Sequence, residues 1–183
     1  SPEKLLHEKG FKVSVYEGEG NISKNELMKY GKDADALITL LPDKIDKEII
    51  DSLPNCKIIA NCAVGFNNID VAYAQSKKII ITNTPDILTD ATADIAVGLV
   101  LCCSRRFFEG EKMIRENLFT GWKPDMLLGI ELREKKVGIV GAGRIGRATA
   151  KRLKAFGTEI LYFNRSRKND FEKETGAKKV SLN

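Results

Sequence analysis

The stretch Lys136 to Gly146 restricts this chain more than any other. It reads Lys-Val-Gly-Ile-Val-Gly-Ala-Gly-Arg-Ile-Gly, an apolar strand, a tight glycine turn and the first residues of a helix. Gly141 permits the sharp exit from the strand, Gly143 lets backbone come close to a ligand, and Gly146 lets the helix pack tightly on the strand. Unpaired N–H groups and the positive end of the helix dipole then point at one place, which suits phosphate. Ile145, Ala148, Thr149, Leu153 and Phe156 form an apolar stripe at near-helical spacing, so the helix is expected. A bare glycine triplet can also be a turn that binds nothing. The strand ahead of it and the amphipathic helix behind it favour a dinucleotide site, with Gly141, Gly143, Arg144, Ile145 and Gly146 around the pyrophosphate.

The next apolar run, Thr158 to Asn164, is expected to be the second parallel strand of that unit. A site selective for NAD ends this strand on Asp or Glu, whose carboxylate holds the ribose 2′-hydroxyl. Here the residue is Asn164, followed by Arg165, Ser166, Arg167 and Lys168. Asn164 does not repel a 2′-phosphate, Arg165 and Arg167 can clamp one, and Ser166 can add a hydroxyl. The spacing therefore predicts NADP(H) as the preferred cofactor, with NAD(H) still admissible. A solvated basic loop is the alternative for the same residues.

Length and composition bound the rest. The 183 residues suffice for one large domain or two small ones, and 43% hydrophobic with 30% charged residues is ordinary globular material. No apolar run reaches membrane-spanning length, and the amino terminus carries no signal-peptide pattern. The four cysteines form no C-x-x-C pair, and with one histidine a zinc site is not expected. Adjacent Cys102 and Cys103 lie in an apolar helical run, where a core position is expected. A reducing cytoplasm is the predicted compartment. Charge is uneven: residues 133–183 carry 14 Lys and Arg against 5 Asp and Glu, the remainder 16 against 20. A phosphate-rich cofactor accounts for part of that basic excess. No basic-aromatic interleaving points to nucleic acid.

From the amino end, strands and helices are expected to alternate. The pattern is a short helix at Leu5–Leu6, a strand at 11–16, and a helix opened by the capping box Ser23–Glu26. A buried strand follows at 34–40, a helix at 46–52 and a strand at 57–60. Then come a helix capped by Asp70 and a strand at 78–82. Alternation of this kind implies a parallel sheet with helices on both faces. After Pro85 a helix of about 91–108, apolar almost all round, is expected to be buried, with a second helix at 111–119. The glycine unit then begins a second sheet. The fold class is α/β, with two parallel-sheet Rossmann-like domains, each incomplete: 1–84 and 85–183, the long helix belonging to the second.

Four ordered stretches carry a resemblance. They are Asn61-Cys62-Ala63-Val64-Gly65-Phe66-Asn67-Asn68-Ile69-Asp70, Thr82-Asn83-Thr84-Pro85, Thr89-Asp90-Ala91-Thr92-Ala93-Asp94, and the glycine fingerprint. The chain resembles the D-isomer-specific 2-hydroxyacid dehydrogenases, most closely the glyoxylate/hydroxypyruvate reductase branch. The resemblance implies a flavodoxin-like substrate-binding domain at 1–84, lacking its first strand, and a cofactor domain beginning at 85. It implies that backbone N–H groups around Val64 and Gly65 hold the substrate carboxylate, that Leu41 lines the substrate pocket, and that Thr92 lies near the cofactor. It further implies a small 2-oxo or 2-hydroxy acid as substrate and a homodimer, with Trp122 in a segment that reaches toward the neighbouring subunit. Trp122 packed on its own domain is the alternative.

The same resemblance puts the catalytic Arg, Glu and His beyond Asn183. His7, the one histidine, is expected on the surface of the first helix. This stretch alone is therefore expected to be inactive, as an interior fragment or the ordered part of a longer protein. Relatives that act as dinucleotide-sensing corepressor scaffolds supply the rival expectation, since fold does not dictate function.

Overall fold

A computed structural model describes residues 2–182. The chain divides into two compact units that meet between Pro85 and Asp86. In the first, the elements are α1 (Pro2–Glu8), α2 (Lys24–Gly31), β1 (Ala36–Thr39), α3 (Lys47–Asp51), β2 (Ile58–Asn61), α4 (Val71–Ser76) and β3 (Ile80–Thr82). The strands form one parallel sheet in the order β1-β2-β3, in register from Ala36 opposite Ile58 and from Ile58 opposite Ile80.

Local chemistry sets the helix starts. Ser23 caps α2 in a full capping box with Glu26; Asp46 caps α3 through the Ile49 N–H; Asp70 caps α4 through the Tyr73 N–H. The core is aliphatic: Ile45, Ile49, Ile59 and Ala74 are completely buried, with Leu27, Ile50, Leu53, Ile69 and Ile79 around them. Each fully buried isoleucine contributes about 1.5–3 kcal/mol.

Residues 11–16 are not a strand. The alternation is present, but a strand needs a neighbour to take up its N–H and C=O groups. Among the described residues this segment has none, and Phe11 and Val15 stay exposed. His7 is on the surface of α1, 3.7 Å from Glu3 one turn away.

The second unit contains α5 (Thr89–Ser104), α6 (Phe107–Arg115), β4 (Lys136–Val140), α7 (Arg144–Lys154), β5 (Glu159–Phe163), α8 (Asn169–Thr175) and β6 (Lys178–Lys179). Its strands are parallel in the order β4-β5-β6. The core joins Val97 of α5, Ala150 and Leu153 of α7, Ile160 and Tyr162 of β5, and Phe171 of α8. The rings of Tyr162 and Phe171 meet edge to face at 5.1 Å. Arg152 of α7 donates to Asp94 at 2.6 Å and to Asp90 at 2.9 Å, so two carboxylates one turn apart on α5 clamp the helices together.

Several expectations change here. The helical stretch expected at 91–108 stops at Ser104, because Arg106 takes a left-handed conformation (φ 56°) and the Ser104 carbonyl accepts from Ile130 N at 2.6 Å. The next helix therefore begins at Phe107 rather than at 111. Nor is α5 buried all round: only Ala93 and Val97 are, while Ile95 is 67% exposed. Its main packing partner α7 covers one face, and among the described residues Ile95 and Leu99 stay exposed. For the same reason Cys103 is exposed and Cys102 only half-buried. Finally, α7 ends at Lys154, which leaves Phe156 past its carboxyl end and exposed; Ala148, Thr149, Ala150 and Leu153 form the buried face.

Candidate functional site

In the first unit the loops leaving the carboxyl ends of the three strands converge, the edge where open parallel sheets bind ligands. Asn61, the last residue of β2, is buried. Its Oδ1 accepts from Thr39 Oγ1 at 3.0 Å, and its Nδ2 donates to the Gly65 carbonyl at 2.8 Å. The amides of Asn61 and Asn68 also pair reciprocally at 3.2 Å. Asn68 Nδ2 reaches on to the Leu40 and Asp43 carbonyls at 3.2 and 3.0 Å, tying the loop after β2 to the turn after β1. From the end of β3, Asn83 Nδ2 donates to the Val64 carbonyl at 2.8 Å and Thr84 N to the Ala63 carbonyl at 2.9 Å.

Three consecutive carbonyls, 63 to 65, are thus held from inside the fold. A trans peptide directs its C=O and N–H in opposite senses. The N–H groups of Val64, Gly65 and Phe66 belong to those same three peptides, and none has an acceptor among the described residues. Successive unpaired donors of this kind make an anion cradle. Leu41, 55% exposed, sits in the turn joined to this loop through Asn68. The sequence reading found Leu41, Val64 and Gly65 but assigned no role to Asn61, Asn68 or Asn83. The available signal was an asparagine at the carboxyl end of two parallel strands, where an amide side chain completes the backbone hydrogen bonds that the sheet leaves open.

In the second unit Gly141 leaves β4 with φ 99°, a conformation that favours glycine, and its N–H donates to the Phe163 carbonyl at 2.9 Å. A Cβ on Gly146 would lie 2.1 Å from the Gly141 carbonyl oxygen, so α7 approaches the turn as closely as backbone allows. A Cβ on Gly143 would meet nothing within 4 Å. That side of the loop is open. Gly143 precedes α7 without a side-chain cap, and the N–H groups of Arg144, Ile145 and Gly146 have no acceptor among the described residues. Open space in front of unpaired donors at a helix start fits a pyrophosphate. The Arg144 side chain pairs with Asp86 at 2.7 Å, both well exposed. Thr92 lies exposed on the first turn of α5, between the aspartates that grip Arg152.

The loop after β5 is arranged differently from expectation in one respect. Asn164 Oδ1 accepts from Ala142 N at 3.3 Å and its Nδ2 donates to the Ser166 carbonyl at 3.0 Å, so the side chain joins the glycine turn to the basic loop. Arg165 is exposed and unpaired among the described residues. Arg167 is not free: its Nε and Nη2 grip Glu172 of α8, the closest contact 2.8 Å. Glu172 also accepts from the buried Tyr162 hydroxyl at 2.7 Å, and that hydroxyl accepts from Lys168 N at 3.0 Å. The Arg167 guanidinium, then the Tyr162 hydroxyl, hold the Glu172 carboxyl below its usual range, while burial raises Tyr162. Of the three groups expected to take a 2′-phosphate, Arg165 and Ser166 are accessible, and Arg167 offers only the guanidinium edge that Glu172 leaves. Sequence reasoning missed Tyr162 and Glu172.

Residues 1–175 match the family model described as the D-isomer specific 2-hydroxyacid dehydrogenase, catalytic domain. The chain belongs to that family. A Staphylococcus haemolyticus protein named for the 2-hydroxyacid dehydrogenases is 51% identical over 94% of this chain and 54% of its own length. Among solved structures, a D-isomer specific 2-hydroxyacid dehydrogenase, NAD-binding by its name, from Polaromonas superposes with TM-score 0.87 at 37% identity, over 97% of this chain and 56% of that one. D-lactate dehydrogenase of Aquifex aeolicus, complexed with NAD and lactic acid, gives TM-score 0.83 at 27% identity, over 99% and 53%. A glyoxylate reductase from Paecilomyes thermophila gives 0.72 at 33% identity, over 85% and 49%. This family member thus spans about half the length of the relatives it matches.

Proposed function

We propose that the whole protein reduces a small 2-oxo acid of the glyoxylate or hydroxypyruvate type to the D-2-hydroxy acid, with NADPH preferred over NADH. The observation that carries this reading is a pair of separate cradles built from unpaired backbone N–H groups. One, at Val64–Phe66, is matched in size and charge to a carboxylate; the other, at Gly143–Gly146, to a pyrophosphate. When bound, the nicotinamide supplies the hydride. The chain's own residues bind and orient: Val64 and Gly65 hold the carboxylate, Leu41 covers an apolar flank, and the glycine turn holds the diphosphate. Thr92 is assigned a place near the cofactor on the family resemblance alone. The proton is assigned to a His held by a Glu, with an Arg gripping the substrate, all outside this stretch. Preference for NADPH is supported by Asn164 in place of a carboxylate and by Arg165, which has no acidic partner among the described residues. The NAD complex of the Aquifex relative is the competing precedent.

Steady-state assays of the whole protein with glyoxylate and hydroxypyruvate, each with NADPH and NADH, test this. The expected result is a higher kcat/KM with NADPH; equal or better turnover with NADH overturns the cofactor assignment. Tight nucleotide binding with no turnover of any 2-oxo acid would instead support a dinucleotide-sensing scaffold. We also infer a homodimer. Its support is the apolar outer face of α5 (Ile95, Leu99) and the exposed Phe107, Phe108 and Leu128, together with Trp122, which at 79% exposure does not pack on its own unit. Light scattering that gave a monomer mass would remove that inference. A cytoplasmic location is proposed from the four unpaired cysteines; no helix among the described residues is long and apolar enough to cross a membrane.

A further inference from the structure

We infer that Asn83 is a positioning residue for the substrate carboxylate, acting through the peptide between Val64 and Gly65. The inference rests on the reading of the Val64–Gly65 loop given above. The loop after β2 has no regular structure of its own to aim its donors. Direction comes from what holds its carbonyls. The end of β3 supplies a two-pronged clamp: the Asn83 side chain on the Val64 carbonyl at 2.8 Å and the next backbone N–H, of Thr84, on the Ala63 carbonyl at 2.9 Å. Asn61 takes the Gly65 carbonyl at 2.8 Å. Because each trans peptide is rigid, fixing these oxygens turns the Val64, Gly65 and Phe66 N–H groups to the opposite side.

The clamp has its own sequence logic. Pro85 biases Thr84 toward extended backbone, which carries the β3 direction past the strand and keeps Asn83 and Thr84 in line with the loop. Asn83 is half-buried, and among the described residues the Val64 carbonyl is the one hydrogen-bond partner of its side chain. A hydrogen bond into a carbonyl also polarises the peptide, which strengthens the N–H at its other end. In this role Asn83 acts through the peptide, setting the direction and strength of the Gly65 donor.

The test uses the whole protein and two substrates of one carbon skeleton, a 2-oxo acid and its uncharged 2-oxo amide. The wild-type protein is expected to favour the acid strongly in KM. Asn83→Leu removes the donor while keeping the branching of the side chain; we expect the acid KM to rise about tenfold, with the amide KM, the NADPH KM and kcat each within about twofold. Asn83→Asp places an acceptor against the Val64 carbonyl except when its carboxyl is protonated. Its acid KM should rise further at pH 8 and recover toward pH 5, a recovery the wild type does not show. Should Asn83→Leu fail to fold, the pH profile of Asn83→Asp carries the test alone. If wild type favours the acid and both variants keep that preference at every pH, Asn83 has no positioning role. If wild type itself does not distinguish acid from amide, the carboxylate reading of the loop is wrong, and the positioning inference falls with it.

Discussion

Gly143 and Gly146 belong to one motif, but the structure predicts opposite consequences for adding a methyl group at each. At Gly146 the new Cβ would lie 2.1 Å from the Gly141 carbonyl oxygen and 3.2 Å from Ile139 Cγ2. Ordinary contact begins near 3.4 Å, so the helix or the turn must give way by about 1.3 Å against a backbone atom. Overpacking of this kind costs about 1–3 kcal/mol. It also moves the turn whose N–H groups face the diphosphate, so NADPH affinity should fall at least about tenfold, which is about 1.4 kcal/mol. At Gly143 the Cβ meets nothing within 4 Å, and φ is −81°. Alanine there is a poorer N-cap than glycine by about 0.5–1 kcal/mol, roughly offset by the reduced freedom of the unfolded chain, about 0.4–1 kcal/mol. Stability should change by less than about 0.5 kcal/mol, while the methyl group occupies the space the pyrophosphate needs. Urea denaturation and NADPH titration by nucleotide fluorescence, run on both variants of the whole protein, separate the two effects. Equal destabilisation by Gly143→Ala and Gly146→Ala, or wild-type NADPH affinity in Gly143→Ala, would refute the assignment of one glycine to packing and the other to ligand approach.

Other variants probe the remaining links. Arg165→Asp is expected to weaken NADPH at least about fivefold and NADH much less, because it puts a carboxylate where the 2′-phosphate would sit; equal losses for both cofactors would take Arg165 out of discrimination. Leu153→Ala empties a completely buried site between α7 and β5 and should lower unfolding free energy by about 2–5 kcal/mol, read as a denaturation midpoint; a loss below 1 kcal/mol would mean that core is not packed as described. The carboxyls of Glu172, Glu174, Asp46 and Asp51 are all held below their ordinary range, mainly by hydrogen bonds from Arg167, Lys151, Lys24 and Lys77 respectively. The unfolded chain binds protons on these groups first as pH drops. Their contribution is therefore complete above the ordinary carboxylate range and is lost as pH falls through the depressed folded-state values. Denaturation midpoints should be level from pH 7 to about 5 and fall below about 4.5, less steeply in Glu172→Gln; a curve flat to pH 3 would contradict this.

Much of the architecture was legible because it is written in local chemistry. Capping residues at Ser23 and Asp70, glycine where φ must be positive, and apolar runs of strand length all act within a few residues of themselves. What was not legible depends on partners far along the chain. Residues 11–16 alternate correctly but have no strand beside them among the described residues, and alternation alone cannot supply the missing hydrogen bonds. The break at Arg106 is set by the returning Ile130 N–H, more than twenty residues later. Arg167 looked like a free cation because its neutralising partner, Glu172, is on the next helix. The two-residue β6 is too short to carry any periodicity and exists through its pairing with Leu161 and Tyr162. Candidate site residues divide in the same way. Glycines and small loops were readable as donors, whereas the asparagines that aim those donors were not, since an amide side chain has no sequence pattern until its acceptor is known.

The two cradles share one physical solution, and it bears on where change in this chain is tolerated. Each sits at the carboxyl edge of a parallel sheet and presents bare N–H groups rather than basic side chains. In each an asparagine from a neighbouring strand end fixes the loop: Asn83 through the Val64 carbonyl, Asn164 through the Ala142 N–H. A cradle of peptides binds charge without bringing a counter-charge of its own, so it is little affected by ordinary pH and cannot be neutralised by a nearby carboxylate. Lysine or arginine in the same places could pair with acidic neighbours, as Arg144 does with Asp86 and Arg167 with Glu172. The cost is that peptide donors cannot reach for a ligand as a long side chain does; a turn displaced by an ångström presents them to empty space. Exposed side chains of the adjoining loops, such as Leu41 and Arg165, are then free to vary with the ligand. The groups behind the loops, Asn61, Asn83, Gly146 and Asn164, are constrained whatever ligand is taken, because they hold the backbone that carries the unpaired donors.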